Sequence, residues 1–356
     1  MVKRKVVGSV KIFVFLLGFC LIFVSLQKVL HYHWDPELYN TNIYMKEQPE
    51  DSYDVFFIGT SELKTSIYPG AIFQTNGITS YNYAVTNKSA LTMYYQVEYI
   101  LRYQKPKIIC CDFSALYDDT LPSERETVYR KVVDTMPDFD LKWDMIKSIH
   151  EMDPEQSILS YLVPMLRYHS LWSELEEKHF QADYVYQDMK EDYYNGCNLI
   201  HVKDGREGYD ITPVIWEAEK SDEQISTQNA EWYDKMIALC HENDIIVVAL
   251  FPPSLGEGSE KTARWETTTT YLESRGVGII DYNNLDAAER IGLNVAEDYI
   301  DGTHMTYKGS LKVSRDLAYI LYGWYGLEDQ SNTEKATQWN AQWNAFCRDY
   351  DIEGIY

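Results

Sequence analysis

The chain lacks the cysteine pattern of a metal site or of a disulfide framework. It has 6 cysteines in 356 residues, and none of them belongs to a CxxC motif or to a Cys/His spacing typical of metal ligands. Cys20 lies in an apolar N-terminal run, and the adjacent Cys110 and Cys111 lie in a predicted strand, where small buried hydrophobic residues are expected. Three further cysteines are open to pairing or to remaining free: Cys197, Cys240 and Cys347. The sequence therefore predicts neither a metal ion nor a cofactor.

An excess of positive charge is also missing. Five of the 32 basic residues lie within the first thirty positions, which hold no acidic residue. The remaining 27 basic residues stand against 55 acidic ones, so the rest of the chain carries a net charge of −28. Such a body repels nucleic acid and anionic lipid, which disfavours a polyanion-binding role. A hydrophobic content of 45% predicts a folded core, and the length allows one large α/β domain or two smaller ones.

A long apolar run opens the chain. It reads IFVFLLGFCLIFVSL from Ile12 to Leu26, and apolar flanks extend it to about the 20 residues that cross a bilayer. Basic residues precede the run, which predicts a cytoplasmic N-terminus. A cleavable signal peptide is the alternative, but the small-x-small cleavage site is absent. We predict a signal anchor over 1–30, a stalk over 31–50, and a single-pass membrane protein whose C-terminal domain is extracytoplasmic.

Short apolar runs alternate with helical patterns over residues 51–325. Five runs predict strands: Val55–Ile58, Ile78–Tyr83, Lys107–Phe113, Ile245–Phe251 and Gly278–Asp281. Four segments carry helical spacing: Ser89–Gln104, Thr227–Asn243, Lys261–Arg275 and Thr306–Tyr322. This alternation is typical of a mostly parallel sheet with helices on both faces.

Two parts of the chain depart from this alternation. Residues 115–225 are rich in tyrosine and acidic residues, and we predict a large helical insertion that caps the functional edge of the sheet. Its predicted helices are Leu141–Ile149, Glu155–Leu166 and Leu171–Phe180. Residues 326–356 repeat a Gln-Trp-Asn triplet only twice, which predicts a surface-packed C-terminal appendage and no solenoid.

A hydroxyl group follows the first predicted strand. Ser61 stands three residues after Ile58, and Gly59 lets the backbone turn sharply between them. Ligands of open parallel sheets bind beyond the carboxyl ends of the strands, so Ser61 is a candidate nucleophile. The amides of the following helix would favour a developing oxyanion at the same place. An ordinary helix-capping serine is the alternative.

An aspartate and a histidine follow the last predicted strand. In Asp301-Gly302-Thr303-His304, the histidine is placed to donate its Nδ1 proton to the carboxylate three residues earlier. That bond fixes the tautomer and leaves Nε2 to accept from a serine hydroxyl. The alternative is an Asp turn with an exposed histidine before a helix. Taken together, Ser61, His304 and Asp301 predict nucleophile, base and orienting carboxylate for acyl transfer to or from an oxygen.

This pairing resembles the SGNH (GDSL-like) hydrolase superfamily. In that superfamily a serine follows the first strand and Asp-x-x-His precedes the last helix. The resemblance implies a flavodoxin-like three-layer α/β/α fold over 51–325. Gly59-Thr60-Ser61 stands where the family has Gly-Asp-Ser. The second family segment corresponds to residues 82–87, and it implies an oxyanion hole formed by the amides of Ser61 and Asn87. For Asn87, a plain helix cap is the alternative.

The third family segment, an Asn-Asp after the third strand, is absent, because the chain reads Cys111-Asp112-Phe113-Ser114 there. The membrane anchor together with Gly-Thr-Ser-Glu looks like the branch of DltD, a lipoteichoic-acid D-alanylation protein, although DltD's Ser-Pro-Gln-Trp-Phe tract is missing. The resemblance implies a serine O-acyltransferase or esterase acting on acyl groups of an envelope polysaccharide.

Two other classes of function stay open. One is a catalytically silent scaffold of the same fold that partners a multi-spanning membrane O-acyltransferase. The other is a glycan-binding module that uses the aromatic residues of the insertion, among them Tyr168, His169 and Trp172.

Overall fold

Five short apolar segments form one parallel sheet in the computed structural model. The structure describes residues 2–30, 36–86, 89–180, 195–200, 224–255 and 264–352. The strands are β1 (Val55–Ile58), β2 (Ser80–Asn82), β3 (Ile108–Cys111), β4 (Ile246–Phe251) and β5 (Gly278–Asp281). Their order is β2-β1-β3-β4-β5, and every neighbouring pair is parallel, with Phe57 opposite Asn82 and Cys110. This is the order of flavodoxin-like sheets, with its switch point between β1 and β3.

The chain forms two compact units. The sheet unit comprises Ile43–Thr120 and Glu191–Tyr356, and the helical unit comprises Met1–Asn42 and Leu121–Lys190. The first helices of the chain are α1 (Val2–Val29), α2 (Pro36–Glu47), α3 (Ser61–Ser66), α4 (Pro69–Asn76) and α5 (Ala90–Tyr103). The helical unit adds α6 (Glu126–Thr135), α7 (Phe139–Met152), α8 (Ile158–Leu162) and α9 (Met165–Tyr168). The sheet unit continues with α10 (Thr227–Glu242), α11 (Trp265–Glu273), α12 (Leu285–Ile291), α13 (Val295–Asp298), α14 (Tyr307–Tyr325) and α15 (Ala336–Asp349).

Helices cover both faces of the sheet, as predicted. Two adjacent cysteines of β3 contact the helices on the two faces, because successive side chains of a strand point to opposite sides of the sheet. Cys110 joins the core cluster that α3, α4 and α14 close over one face. Cys111 points the other way, with its sulfur 3.9 Å from those of Met93 in α5 and Met236 in α10. None of the six cysteines, all of which lie among the described residues, forms a disulfide.

The final helix buries two tryptophans. Trp339 and Trp343 stand one helical turn apart on α15, so they share a face. The ring of Trp339 stacks on Phe73 with 4.9 Å between centroids, and that of Trp343 stacks on Tyr68 at 6.1 Å. The repeated Gln-Trp-Asn triplets therefore place the two indoles against α4, where they extend the core.

The helical unit departs from the predicted boundaries. The predicted helix Glu155–Leu166 is two short helices, α8 and α9, interrupted at Pro164, whose ring lacks the N–H that a continuous helix needs. The predicted helix Leu171–Phe180 is two 3₁₀ segments, His169–Glu174 and Glu177–Phe180. Helix α1 contains an 18-residue stretch, Val10–Gln27, with a mean hydropathy of 2.3 and no burial. By length and composition it is sufficient to cross a membrane.

Candidate active site

Ser61 begins helix α3, directly beyond the carboxyl end of β1. The turn between strand and helix is tight. A Cβ atom on Gly59 would stand 2.4 Å from the Cδ1 of Leu63 and 2.7 Å from the Cβ of Asp112, so only glycine fits there. This close passage presents the Ser61 side chain, half-buried, at the carboxyl edge of the sheet.

His304 and Asp301 lie in a short closed loop between α13 and α14. Tyr299 and Met305 form an antiparallel bridge across its base, and the Ile300 amide donates to the His304 carbonyl at 3.0 Å. Inside the loop, Asp301 Oδ1 accepts from the amides of Thr303 and His304, each at 2.8 Å. The aspartate thus folds the loop around its own carboxylate and fixes the backbone of the histidine.

The structure brings the three side chains into one relay. The Nδ1 of His304 lies 2.8 Å from Oδ2 and 3.0 Å from Oδ1 of Asp301, and its Nε2 lies 2.8 Å from the Oγ of Ser61. With Nδ1 protonated, the ring donates to the carboxylate, and Nε2 accepts the hydroxyl proton. Ser61 and His304 are 243 positions apart in the sequence, so the contact is a product of the fold.

The charge of Asp301 is stabilised within the loop. Partial burial by itself would raise the pKa of this carboxyl, but the amides of Thr303 and His304 and the imidazole hydrogen-bond to it and hold the pKa below its ordinary value. Asp301 therefore stays an anion and a hydrogen-bond acceptor at neutral pH. An ionised carboxylate beside Nδ1 orients the ring and stabilises the imidazolium that forms when Nε2 takes a proton.

Thr65, which sequence reasoning missed, connects the serine helix to the histidine loop. Its hydroxyl donates to the Ser61 carbonyl at 3.1 Å and accepts from the Met305 amide at 3.4 Å. Met305 is fully buried and directly follows His304, so its amide depends on this hydroxyl. A threonine inside a helix carries no motif, and only the contact with a residue 240 positions away identifies it.

The predicted oxyanion donors are described in part. The Ser61 amide stands at the first position of α3, where a helix offers no intrahelical acceptor. Asn87 lies outside the described residues. The loop that leads to it runs beside the serine turn as far as it is described, since the Val85 amide donates to the Gly59 carbonyl at 2.9 Å.

Asp112 directly follows the end of β3. Its Oδ2 accepts from the Thr60 hydroxyl at 2.8 Å and from the Thr60 amide at 3.3 Å, and its Oδ1 accepts from the Ser114 amide at 2.6 Å. The carboxylate therefore braces the serine turn from β3. Its position directly after a buried strand is the signal that marks it as part of the site.

The aromatic residues singled out in the insertion belong to the helical unit. The Tyr168 hydroxyl donates to Asp134 at 2.6 Å, and His169 Nδ1 lies 3.0 Å from the Leu166 carbonyl. Trp172 is 72% exposed. Tyrosines 184, 186, 193, 194 and 209 lie outside the described residues. Within the described ranges, no group of three His, Cys, Asp or Glu side chains is arranged to hold a metal ion.

Comparisons with known proteins add little to this geometry. No family model matches the sequence, and no curated protein matches it. Among solved structures, the chain is similar to a provisionally assigned acylhydrolase from Bacteroides fragilis, with 11% identity and a TM-score of 0.35. That alignment covers 81% of this chain and 95% of the other. A likeness this low has no bearing on family or activity.

Proposed function

We propose that this protein is a serine esterase or O-acyltransferase whose catalytic residues are Ser61, His304 and Asp301. The observation that carries the proposal is the unbroken hydrogen-bond relay from hydroxyl to imidazole to carboxylate, with both bonds at 2.8 Å. Such a relay activates a weak oxygen nucleophile, and it is recognised by geometry and roles rather than by sequence order.

The first half-reaction acylates the serine. The Ser61 Oγ forms a bond to the ester carbonyl carbon while His304 Nε2 takes the hydroxyl proton. The imidazolium is stabilised by the Asp301 carboxylate. When the tetrahedral intermediate collapses, the ester C–O bond breaks and His304 gives its proton to the leaving alcohol oxygen.

The second half-reaction returns the acyl group to an oxygen. Water or a sugar hydroxyl loses a proton to His304 and bonds to the acyl carbon, and the Ser61 oxygen leaves and is reprotonated. The acceptor alone separates an esterase from a transferase, because the residues serve both in the same way. The amides of Ser61 and Asn87 are the proposed donors to the oxyanion, where loss of one donor costs about 3–4 kcal/mol.

The finer assignment is an SGNH-type enzyme of the DltD-like branch, anchored in a bacterial membrane by α1 and acting on acyl groups of an envelope polysaccharide. The apolar helix at the N-terminus and the flavodoxin-like strand order support it. The acidic body is compatible with neutral glycans and unsuited to nucleic acid. A multi-spanning membrane O-acyltransferase is the proposed partner.

Turnover of p-nitrophenyl acetate tests the catalytic assignment. Ser61→Ala and His304→Ala are each expected to lower kcat by about 10⁴-fold or more, because the relay acts as a unit. Ser331→Ala and His241→Ala remove the same groups from exposed positions and are expected to match the wild type. Equal turnover by the wild type and by both site variants would remove the assignment.

One observation favours a second candidate, the catalytically silent scaffold. Asp112 is a carboxylate at the position where the superfamily has an oxyanion donor, and it accepts hydrogen bonds from Thr60 without offering one. Labelling with a fluorophosphonate separates the candidates. If the protein is an enzyme, about one fluorophosphonate per molecule is expected to become bound to Ser61. A wild-type protein that never reacts supports the scaffold.

A further inference from the structure

A pocket opens beside the serine turn at the carboxyl ends of β3, β4 and β5. It lies wholly within the sheet unit and has a volume of about 110 Å³. Glu62, the residue after Ser61, lines it, as does Asp112, whose carboxylate holds Thr60. The sequence neighbour of the proposed nucleophile and the carboxylate that holds its turn therefore both face the pocket.

Four aromatic side chains line the pocket. Phe113, Tyr117, Phe251 and Trp265 line it, and apolar atoms make up most of its surface. The Trp265 ring meets Phe251 edge to face with 5.0 Å between centroids. This contact holds the indole in one orientation, so the wall has a defined shape.

Hydrogen bonds and a cation–π contact fix the part of the wall around Tyr117. The Tyr117 hydroxyl lies 3.2 Å from the Arg264 carbonyl and 3.2 Å from the Thr268 hydroxyl, and the Arg264 guanidinium covers the tyrosine ring at 4.7 Å. These contacts join the segment after β3 to the start of α11. A wall braced on both sides does not widen freely for a larger ligand.

We infer that this pocket receives the acyl group of the ester and restricts it to short chains, with Trp265 as the residue that sets the limit. An enclosed apolar cavity of about 150 Å³ holds one benzene molecule, so by volume this half-open pocket of 110 Å³, which Glu62, Asp112 and Arg264 also line, takes roughly two to four carbons of an acyl group. A sugar ring with its hydroxyl groups is larger than benzene, which leaves the glycan outside this pocket. The inference rests on the proposed function of Ser61.

Ester series that vary one side of the bond at a time test the inference. With p-nitrophenol as the fixed alcohol, kcat/KM of the wild type is expected to be highest for acetate or butyrate and to fall at least tenfold for octanoate. Trp265→Ala is expected to raise the octanoate-to-butyrate ratio by about tenfold, because each additional methylene that is buried contributes roughly fourfold. Trp324→Ala removes a 71% exposed tryptophan of α14 and is expected to leave the ratio unchanged.

A second variant guards against misfolding of the first. Ser114 lines the pocket from an exposed position, and its backbone amide, not its side chain, bonds Asp112. Ser114→Leu is therefore expected to keep the fold and to narrow the preference to acetate. A ratio unmoved by both Trp265→Ala and Ser114→Leu would overturn the inference.

The two levels of the proposal fail differently. For acetate esters of different alcohols, the order of kcat/KM is expected to be the same in the wild type and in Trp265→Ala. If Trp265→Ala changes kcat/KM only in this series, the pocket binds the alcohol, and the inference is overturned. Ser61→Ala is measured in parallel on every ester. If it retains wild-type turnover, the proposed function fails, whereas loss of turnover with an unmoved chain-length profile removes only the acyl pocket.

Discussion

A cluster of charged side chains in the sheet unit and another in the helical unit use their charges differently. In the sheet unit, the side chains of His304 and Asp301 are 28% and 41% exposed, and their hydrogen bonds end on the Ser61 hydroxyl. In the helical unit, the Arg130 side chain is 1% exposed and its Nε lies 2.6 Å from the Glu126 carboxylate. The first is called the open cluster here because it reaches solvent at its functional end. The second is called the closed cluster because its central guanidinium is buried, with Glu126 and Arg167 partly exposed at its edge.

The closed cluster consists of mutually paired groups. The Arg130 guanidinium stacks on the Tyr161 ring at 4.1 Å and donates to the Ser160 hydroxyl at 2.7 Å. Asp134 receives the Tyr168 hydroxyl at 2.6 Å. Burial raises the pKa of Asp134, although neighbouring cations act to lower it. Desolvation therefore dominates here, as expected where charges are removed from water.

The difference lies in where each chain of contacts ends. The contacts of Arg130 return to helices α6, α8 and α9, so its charge serves only to hold those helices together. The contacts of Asp301 lead through an imidazole to a hydroxyl that has no further partner among the described residues. A relay that ends on a half-exposed hydroxyl is available to a substrate, and a closed ionic network is not.

The largest expected effect comes from the open cluster. Asp301→Asn keeps the size of the side chain but replaces the acceptor of the Nδ1 proton, which favours the wrong tautomer of His304. We expect kcat for p-nitrophenyl acetate to fall about 10⁴-fold with little change in Tm. Asp286→Asn, at an exposed position, is the matched control. A fall of less than tenfold would mean that the carboxylate does not orient the ring.

Breaking the closed cluster is expected to change stability instead. Arg130→Met removes the buried guanidinium that lies between the Glu126 and Asp134 carboxylates, while Glu126 keeps its pair with Arg167. Breaking this buried pairing costs about 3–5 kcal/mol of the free energy of unfolding. The control is Arg290→Met, whose pair with Asp316 is half-exposed and is expected to cost less than about 1 kcal/mol. Urea unfolding measures the free energy of unfolding of both variants. Similar losses of that free energy would contradict the difference expected between the buried and the half-exposed pair.

A smaller effect is expected where the serine helix and the histidine loop meet. Thr65→Val keeps the shape of the side chain but leaves the buried Met305 amide without an acceptor, a cost of about 1–3 kcal/mol. Because that amide follows His304, we expect kcat to fall about tenfold with an unchanged KM. Thr65→Ser restores the hydroxyl and is expected to recover most of the activity. If Thr65→Val lowers Tm but leaves kcat unchanged, Thr65 has only a structural role.

The sheet was predictable because its strands are apolar runs bounded by turn residues. The bounds of β1 and β5 are those predicted, and β2, β3 and β4 are shorter than predicted at one or both ends. The carboxyl ends of parallel strands share one edge, which places Ser61 there. That His304 meets it was predicted from the pairing of the serine turn with the Asp-x-x-His motif.

Other features depend on contacts that no local pattern encodes. In the sequence nothing distinguishes Thr65 from other helical threonines, and only its hydrogen bond with the Met305 amide in the structure shows its role. The burial of Trp339 and Trp343 follows from the docking of α15 on α4, which two copies of a triplet do not specify. The acyl pocket requires segments after β3, β4 and β5 to meet, and Trp265 has no motif of its own.

The smallest expected effect is on the pH dependence of stability, and it concerns Asp301 of the open cluster. Hydrogen bonds hold the pKa of Asp301 below its ordinary value in the folded protein, so the unfolded chain binds a proton at this group first as the pH falls. The stabilisation is therefore complete above about pH 4 and is lost as the pH falls through the lowered folded pKa. Because the side chain is 41% exposed, we expect the loss to be less than about 1 kcal/mol. The free energy of unfolding at pH 7 and pH 3 should differ less in Asp301→Asn than in the wild type, and an identical difference would show that the loop does not stabilise the carboxylate.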